Sequence, residues 1–69
     1  MNRTPVSSSN VASIGYDAST LTLEVEFTNS SVYQYFDVPQ VLYEELMRAS
    51  SVGQFIHANI RGQYRYVRV

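Results

Sequence analysis

The chain has 69 residues, a formal net charge of −1 and no cysteine. This length makes one domain and leaves no room for two, and the lack of cysteine excludes a disulfide framework or a thiolate metal site. No stretch approaches the roughly 20 apolar residues that a membrane-spanning helix needs, and the N-terminus does not have the pattern of a signal peptide. These features predict a cytoplasmic protein that does not use a membrane.

The charges are distributed unevenly along the chain. Residues 1–45 carry six acidic side chains against Arg3 alone, a net of −5, whereas residues 46–69 carry four arginines and no acid, a net of +4. Such asymmetry indicates a polar binding face, or else a basic tail that lies beside an acidic strand and pairs with it. The sequence is compatible with both arrangements.

The first part of the chain is predicted to contain one strand. Residues 1–7 are expected to form an irregular lead-in, and residues 10–16 a strand that Gly15 weakens. Residues 17–20 have the composition of a turn, because Asp and Ser side chains bond to nearby main-chain amides.

A hairpin is predicted to follow. In residues 21–27 apolar side chains alternate with threonine and glutamate, which is the pattern of a half-buried antiparallel strand. Residues 28–31 have turn composition, and residues 32–37, rich in β-branched and aromatic side chains, form the return strand.

The loop length of this hairpin decides where two tyrosines lie. With two or four residues in the loop, Tyr33 and Tyr35 lie beside the glutamates on the outer face; with three or five, both enter the core. The even loop buries Gln34, whereas the odd loop exposes Val32 and Phe36, and we favour the even loop.

A first helix is predicted to begin at Pro39, because proline fits the first helical turn. Asp37 and Gln40 flank it like a capping residue and its reciprocal partner. Apolar residues then recur at helical spacing, at Leu42 and Leu46.

A second helix and a last strand complete the predicted fold. The segment from Ser51 to Gln54 is typical of a capping box, and Gly62 can form the left-handed exit after the helix. Residues 64–69 alternate again and predict a strand. The order is therefore β-β-β-α-α-β, an α+β fold in which an antiparallel meander of three to four strands has two short helices on one face.

The inventory of reactive side chains argues against an enzyme. There is one histidine and no lysine, and a triad of Ser50 or Ser51 with His57 and Asp37 has no nucleophile-elbow context. One histidine with scattered carboxylates does not make a metal site, and the three glycines form no phosphate-cradling loop. We therefore expect no catalytic residue, metal or cofactor.

The aromatic residues suggest a binding function instead. Four of the six tyrosines form two Tyr-x-Tyr pairs, and a spacing of two on a strand places both rings on one face. Aromatic rings framed by arginines hold single-stranded bases in several RNA-binding modules. The candidate nucleic-acid-binding residues are Arg61, Tyr64, Arg65, Tyr66 and Arg68, with Tyr33 and Tyr35 as additions. The alternative is that the tyrosines simply cover a thin core.

A resemblance to a known family supports the RNA hypothesis. Tyr33-Gln34-Tyr35-Phe36-Asp37-Val38-Pro39, then Ser51-Val52-Gly53-Gln54-Phe55, then Asn59-Ile60-Arg61 and Tyr64 together resemble the KTSC domain. That family is named from the C-termini of lysyl-tRNA synthetases and also includes free-standing bacterial proteins. The resemblance covers residues 6–69, and the attachment to synthetases implies an RNA partner.

Two function hypotheses follow. The first is an accessory module that binds tRNA-like or single-stranded RNA, whose affinity would fall steeply with salt. The second is a protein-interaction module, including a homo-oligomer, because tyrosine and arginine also dominate protein interfaces.

Overall fold

The computed structural model describes all 69 residues. Five strands form one antiparallel sheet in chain order: β1 (Arg3–Pro5), β2 (Val11–Asp17), β3 (Thr22–Phe27), β4 (Val32–Tyr35) and β5 (Tyr66–Arg68). Two helices, α1 (Gln40–Arg48) and α2 (Val52–Asn59), lie between β4 and β5 in the sequence. The predicted α+β class is confirmed, with one strand more than expected. Neither helix has the length and apolar character needed to cross a membrane.

Alternation in β2 and β3 decides which face of the sheet is buried. Ile14, Leu23 and Val25 are fully buried and form one cluster with Leu46 of α1 and Ile56 of α2. The face that carries them, called here the inner face, is therefore covered by the helices. Burying apolar surface contributes about 25 cal/mol per Å², so this contact holds the two layers together.

The N-terminal segment is more ordered than predicted. Arg3–Pro5 pairs with β2, and Nη1 of Arg3 donates to Oε2 of Glu24 at 3.0 Å across the outer face. A Cβ at Gly15 would lie 2.8 Å from the main-chain oxygen of Asn2. Only glycine permits such a close approach. The residue expected to weaken β2 is thus the one that admits β1, and the irregular lead-in was a wrong prediction.

The β3–β4 hairpin has a three-residue loop, so the favoured even loop is wrong. The main-chain N–H of Phe27 donates to the oxygen of Ser31 at 2.9 Å, and residues 28–30 connect the two. Ser30 has a φ of 72°, the left-handed position that ends such a loop. Oδ1 of Asn29 accepts from the main-chain N–H of Ser31 at 3.1 Å, which fixes the turn.

This register turns both hairpin tyrosines inward. Tyr33 pairs with Val25 and Tyr35 with Leu23, so the rings share the inner face with the core. Gln34 points outward instead, and its Nε2 donates to Oε1 of Glu24 at 2.8 Å.

Of the two predicted helix caps, that of α2 is confirmed and that of α1 is not. Oγ of Ser51 accepts from the main-chain N–H of Gln54 at 3.3 Å, so the cap of α2 is confirmed. The cap of α1 is wrong: Pro39 occupies the N-cap position without a side-chain hydrogen bond. Asp37 has a φ of 60°, and its carboxylate accepts from Arg65 at 3.4 Å rather than from the helix.

Candidate functional site

A groove of about 1050 Å³ lies between the inner face of the sheet and α2. Aromatic rings from three strands line the sheet side of the groove: Phe27, Tyr33, Tyr35 and Tyr66. Residues of α2 and the turn after it line the other side: Gly53, Gln54, Ile56, His57, Ala58, Arg61 and Gly62.

The aromatic rings hold one another in place. Tyr66 stands opposite Tyr35 in the β4–β5 register, and its ring centroid lies 5.6 Å from that of Tyr33 and 5.9 Å from that of Tyr35. Phe27 meets Tyr33 edge to face at 5.7 Å. Such tilted and edge contacts are favourable geometries for aromatic pairs. We refer to these four rings as the aromatic floor.

The rings of the aromatic floor differ in accessibility. Tyr35 is 3% exposed and belongs to the core, whereas Tyr66 is 56% exposed. Phe27 and Tyr33 are half-buried. A flat ligand can therefore stack on Tyr66 and contact Tyr33 and Phe27, whereas Tyr35 is almost fully covered.

The groove is electropositive although the chain is not. None of its lining residues is acidic, while Arg61 and His57 are both among them. Arg61 forms no ion pair. The β5 register places Arg68 opposite Tyr33, on the inner face beside the groove, and it is also unpaired.

The structure brings together only part of the predicted site. Tyr33, Tyr35, Tyr66 and Arg61 line one groove. Arg68 lies beside the groove, opposite Tyr33. Tyr64 and Arg65, which precede β5, do not line the groove.

Arg65 and Tyr64 serve other contacts. The guanidinium of Arg65 lies 5.4 Å from the ring centroid of Phe36 and bonds to Asp37. Both members of that ion pair are largely exposed, so it adds little stability. Tyr64 is half-buried and packs against the core.

Two groove residues were missed from the sequence. Phe27 enters the groove because the odd loop aligns it with the tyrosines. His57 is exposed and lines the groove with Arg61. Helical spacing could not have paired it with Arg61, because α2 ends at Asn59 and Arg61 lies in the turn after it.

The triad considered from the sequence does not assemble. Oγ of Ser51 caps α2, Asp37 binds Arg65, and His57 forms no hydrogen bond with either. No three histidine, aspartate or glutamate side chains gather as metal ligands would.

Comparison with known proteins identifies the family. The chain matches the KTSC domain over residues 7–64 and therefore belongs to that family. A KTSC domain protein from Yersinia pestis, known from a crystal structure, has the same fold with a TM-score of 0.96 and 38% identity, covering 99% of this chain and 96% of that one.

The relatives fall into two kinds. A lysine–tRNA ligase of Nostoc sp. is 47% identical over 51 residues, which are 74% of this chain but 9% of the ligase. The chain thus spans a small part of the ligases that it matches. An uncharacterized protein of Stutzerimonas stutzeri is 37% identical over 100% of this chain and 99% of its own length. The domain occurs both within large ligases and as a small protein.

Two tyrosines, the buried Tyr35 and the half-buried Tyr16, should make the stability of the fold sensitive to high pH. Burial raises the pKa of Tyr35, although the nearby positive charge of Arg61 opposes the rise. Burial, followed by the charge of Asp17, raises the pKa of Tyr16, whose hydroxyl donates to the main-chain oxygen of Val38. Both phenols therefore stay protonated in the folded state at a pH where the unfolded chain has already lost those protons, above about 10.

This difference is expected to contribute stability below about pH 10 that is lost as the pH rises toward the folded-state pKa. Thermal unfolding followed by circular dichroism between about pH 9 and 11 should show a falling midpoint. In Tyr35→Phe the fall should be shallower, because one of the two groups is gone. An equally steep fall in that variant would contradict the assignment to Tyr35.

Proposed function

We propose that this domain is a non-enzymatic accessory module that holds single-stranded RNA in the groove between α2 and the aromatic floor. The observation that carries the proposal is the combination of an accessible tyrosine ring and the unpaired Arg61 in a groove without any acidic side chain, with the unpaired Arg68 beside it.

Each part of the groove suits one part of a nucleotide strand. Bases stack on aromatic side chains with little regard to sequence, and Tyr66 offers the most exposed ring of the aromatic floor. Arginine donates in a planar fork that matches phosphate, and Arg61 and Arg68 have no acidic partner to compete.

The domain context supports RNA as the partner. Relatives of this chain form part of lysine–tRNA ligases, and the name of those proteins states that they act on tRNA. An added module that grips an RNA strand would help such a protein retain that substrate. The same groove would serve the small relatives as an RNA-binding surface in its own right.

Fluorescence anisotropy with a labelled, mixed-sequence single-stranded RNA tests this function. Two phosphate contacts predict a slope of about −1.4 in log affinity against log salt, or roughly a sevenfold loss between about 50 and 200 mM salt. The double variant Arg61→Gln/Arg68→Gln should flatten this slope. The matched control is Arg48→Gln, since Arg48 lies on α1 and does not line the groove. Absence of binding at low salt would refute the proposal.

A protein-interaction module, including a homo-oligomer, is the second candidate. It is favoured by the edge strand β5, whose outer side exposes Val67 at 44%. Unpaired strand edges can pair with another chain. Self-association in sedimentation velocity that Val67→Lys abolishes, together with no response to RNA, would favour this candidate over the first.

A further inference from the structure

Tyr35 is a nearly buried residue whose hydroxyl has no hydrogen-bond partner in the protein. Tyr35 is 3% exposed and lines the groove. Its hydroxyl makes no hydrogen bond in the protein, whereas that of Tyr16 donates to Val38. Every fully enclosed polar side-chain atom does have a partner, so the Tyr35 hydroxyl is reachable from the groove. A hydroxyl that is open to the groove and bonded to nothing in the protein is free to donate to a ligand atom.

A cation without an ion-pair partner lines the same groove. Arg61 lines the same groove and forms no ion pair. Tyr35 and Arg61 both line this groove, and the positive charge of Arg61 opposes the rise of the pKa of the Tyr35 phenol. Together they offer a hydroxyl donor and a guanidinium fork, and no acidic side chain of the groove competes for either.

We propose that the Tyr35 hydroxyl and the Arg61 guanidinium form a phosphate subsite in the groove. The inference rests on the proposed function and specifies where along the groove the strand is anchored. A phosphate fits better than a neutral base edge, because the guanidinium fork matches two phosphate oxygens. The phenol adds a hydrogen bond to the same anion.

The proposed subsite brings the adjoining base close to an aromatic ring. With a phosphate held beside Tyr35, the adjoining base lies over the neighbouring ring of Tyr66, whose centroid is 5.9 Å from that of Tyr35. One nucleotide thus engages both kinds of contact. A terminal phosphate monoester and an internal phosphodiester both offer the anionic oxygens that this subsite would bind. Comparing uridine 5′-monophosphate with the dinucleotide UpU distinguishes the two.

The test compares a nucleoside with its nucleotide. Isotope-labelled protein is titrated with uridine, uridine 5′-monophosphate and the dinucleotide UpU, and NMR shifts give the affinities. In the wild type the monophosphate should bind about tenfold or more tightly than uridine, the effect of a hydrogen bond to a charged group. In Tyr35→Phe, and likewise in Arg61→Gln, the ratio of the affinity for the monophosphate to that for uridine should fall about tenfold.

Matched controls separate the subsite from general effects. Tyr64→Phe removes a hydroxyl outside the groove, and Arg48→Gln removes a charge on α1; both should keep the wild-type preference. Tyr35→Phe should also keep the wild-type thermal midpoint at neutral pH, because its hydroxyl bonds to nothing in the protein. A fall in that midpoint with the phosphate preference intact would show a structural role and overturn the subsite.

The remaining outcomes are equally decisive. If wild-type protein binds RNA but prefers the monophosphate no more than uridine, the subsite is overturned while the proposed function stands. If it binds neither RNA nor any of the three small ligands, both fail. A preference that UpU shares with the monophosphate supports an internal phosphodiester, and one confined to the monophosphate supports a subsite for a strand end.

Discussion

Replacing Tyr66 with alanine is expected to weaken binding of single-stranded RNA by about tenfold to a hundredfold. Stacking of one base on an aromatic side chain contributes about 1–3 kcal/mol, and Tyr66 is the most exposed ring of the aromatic floor at 56%. The change also removes the ring that contacts Tyr33 and Tyr35, so their position in the groove becomes less fixed. Fluorescence anisotropy at low salt gives the affinity directly.

Two further variants make this result specific. Tyr66→Phe keeps the ring and should bind within about threefold of the wild type, because stacking needs the aromatic face rather than the hydroxyl. Val67→Ala changes the next residue, which lies on the outer face opposite Gln34, and should have no effect. Wild-type affinity in Tyr66→Ala would mean that RNA does not bind on the aromatic floor.

The fold explains how a chain of net charge −1 can present an electropositive groove. In β3 the apolar Leu23 and Val25 alternate with Glu24 and Glu26. The alternation that builds the core therefore places both glutamates on the outer face, where Arg3, Gln34 and Ser13 bond to them. The overall charge of a small domain thus says little about any one of its faces.

Local patterns in the sequence were sufficient for most of the elements. The alternation of residues 21–27 and the capping segment at Ser51 each involve a few neighbouring residues, and both were predicted correctly. β1 was missed because it is three residues long and depends on a close approach at Gly15. That contact joins segments that are distant in the sequence and leaves no periodic signal.

The candidate site depends on the length of the β3–β4 loop, which local sequence patterns did not predict. A loop of three residues instead of four moves Tyr33 and Tyr35 from one face of the sheet to the other. The choice is made by Ser30 in a left-handed conformation and by the Asn29 hydrogen bond to Ser31. The composition of the turn, without glycine, did not reveal it.

The strand termini explain the remaining errors in the site. β5 begins at Tyr66, and Arg65 lies just before it, with its guanidinium bonded to Asp37 and over the ring of Phe36. The sequence predicted a strand from residue 64, and Tyr64 and Arg65 were assigned to the site because tyrosines and arginines occur together in that segment. Of the predicted arginines, Arg61 is the one that lines the groove, and it lies beyond the end of α2.

Replacing Leu46 with alanine is expected to unfold a large fraction of the protein. Leu46 is the one fully buried residue of α1, and truncating a buried leucine costs about 2–5 kcal/mol. A domain of this size has a free energy of unfolding of about 3–10 kcal/mol, so the expected loss is a large part of that total. Urea denaturation followed by circular dichroism measures the free energy of unfolding. Val41→Ala, on the same helix but 60% exposed, should change it by less than about 0.5 kcal/mol.

The same variant tests whether the fold and the proposed site are separable. Leu46 does not line the groove, so folded Leu46→Ala molecules should bind RNA with wild-type affinity. The apparent affinity should fall only by the fraction of molecules that are unfolded, and excess RNA should raise the midpoint of unfolding, because it binds the folded state alone. A Leu46→Ala protein as stable as the wild type would mean that α1 is not held to the sheet by this side chain. Lost binding in a fully folded sample would place part of the RNA site on α1.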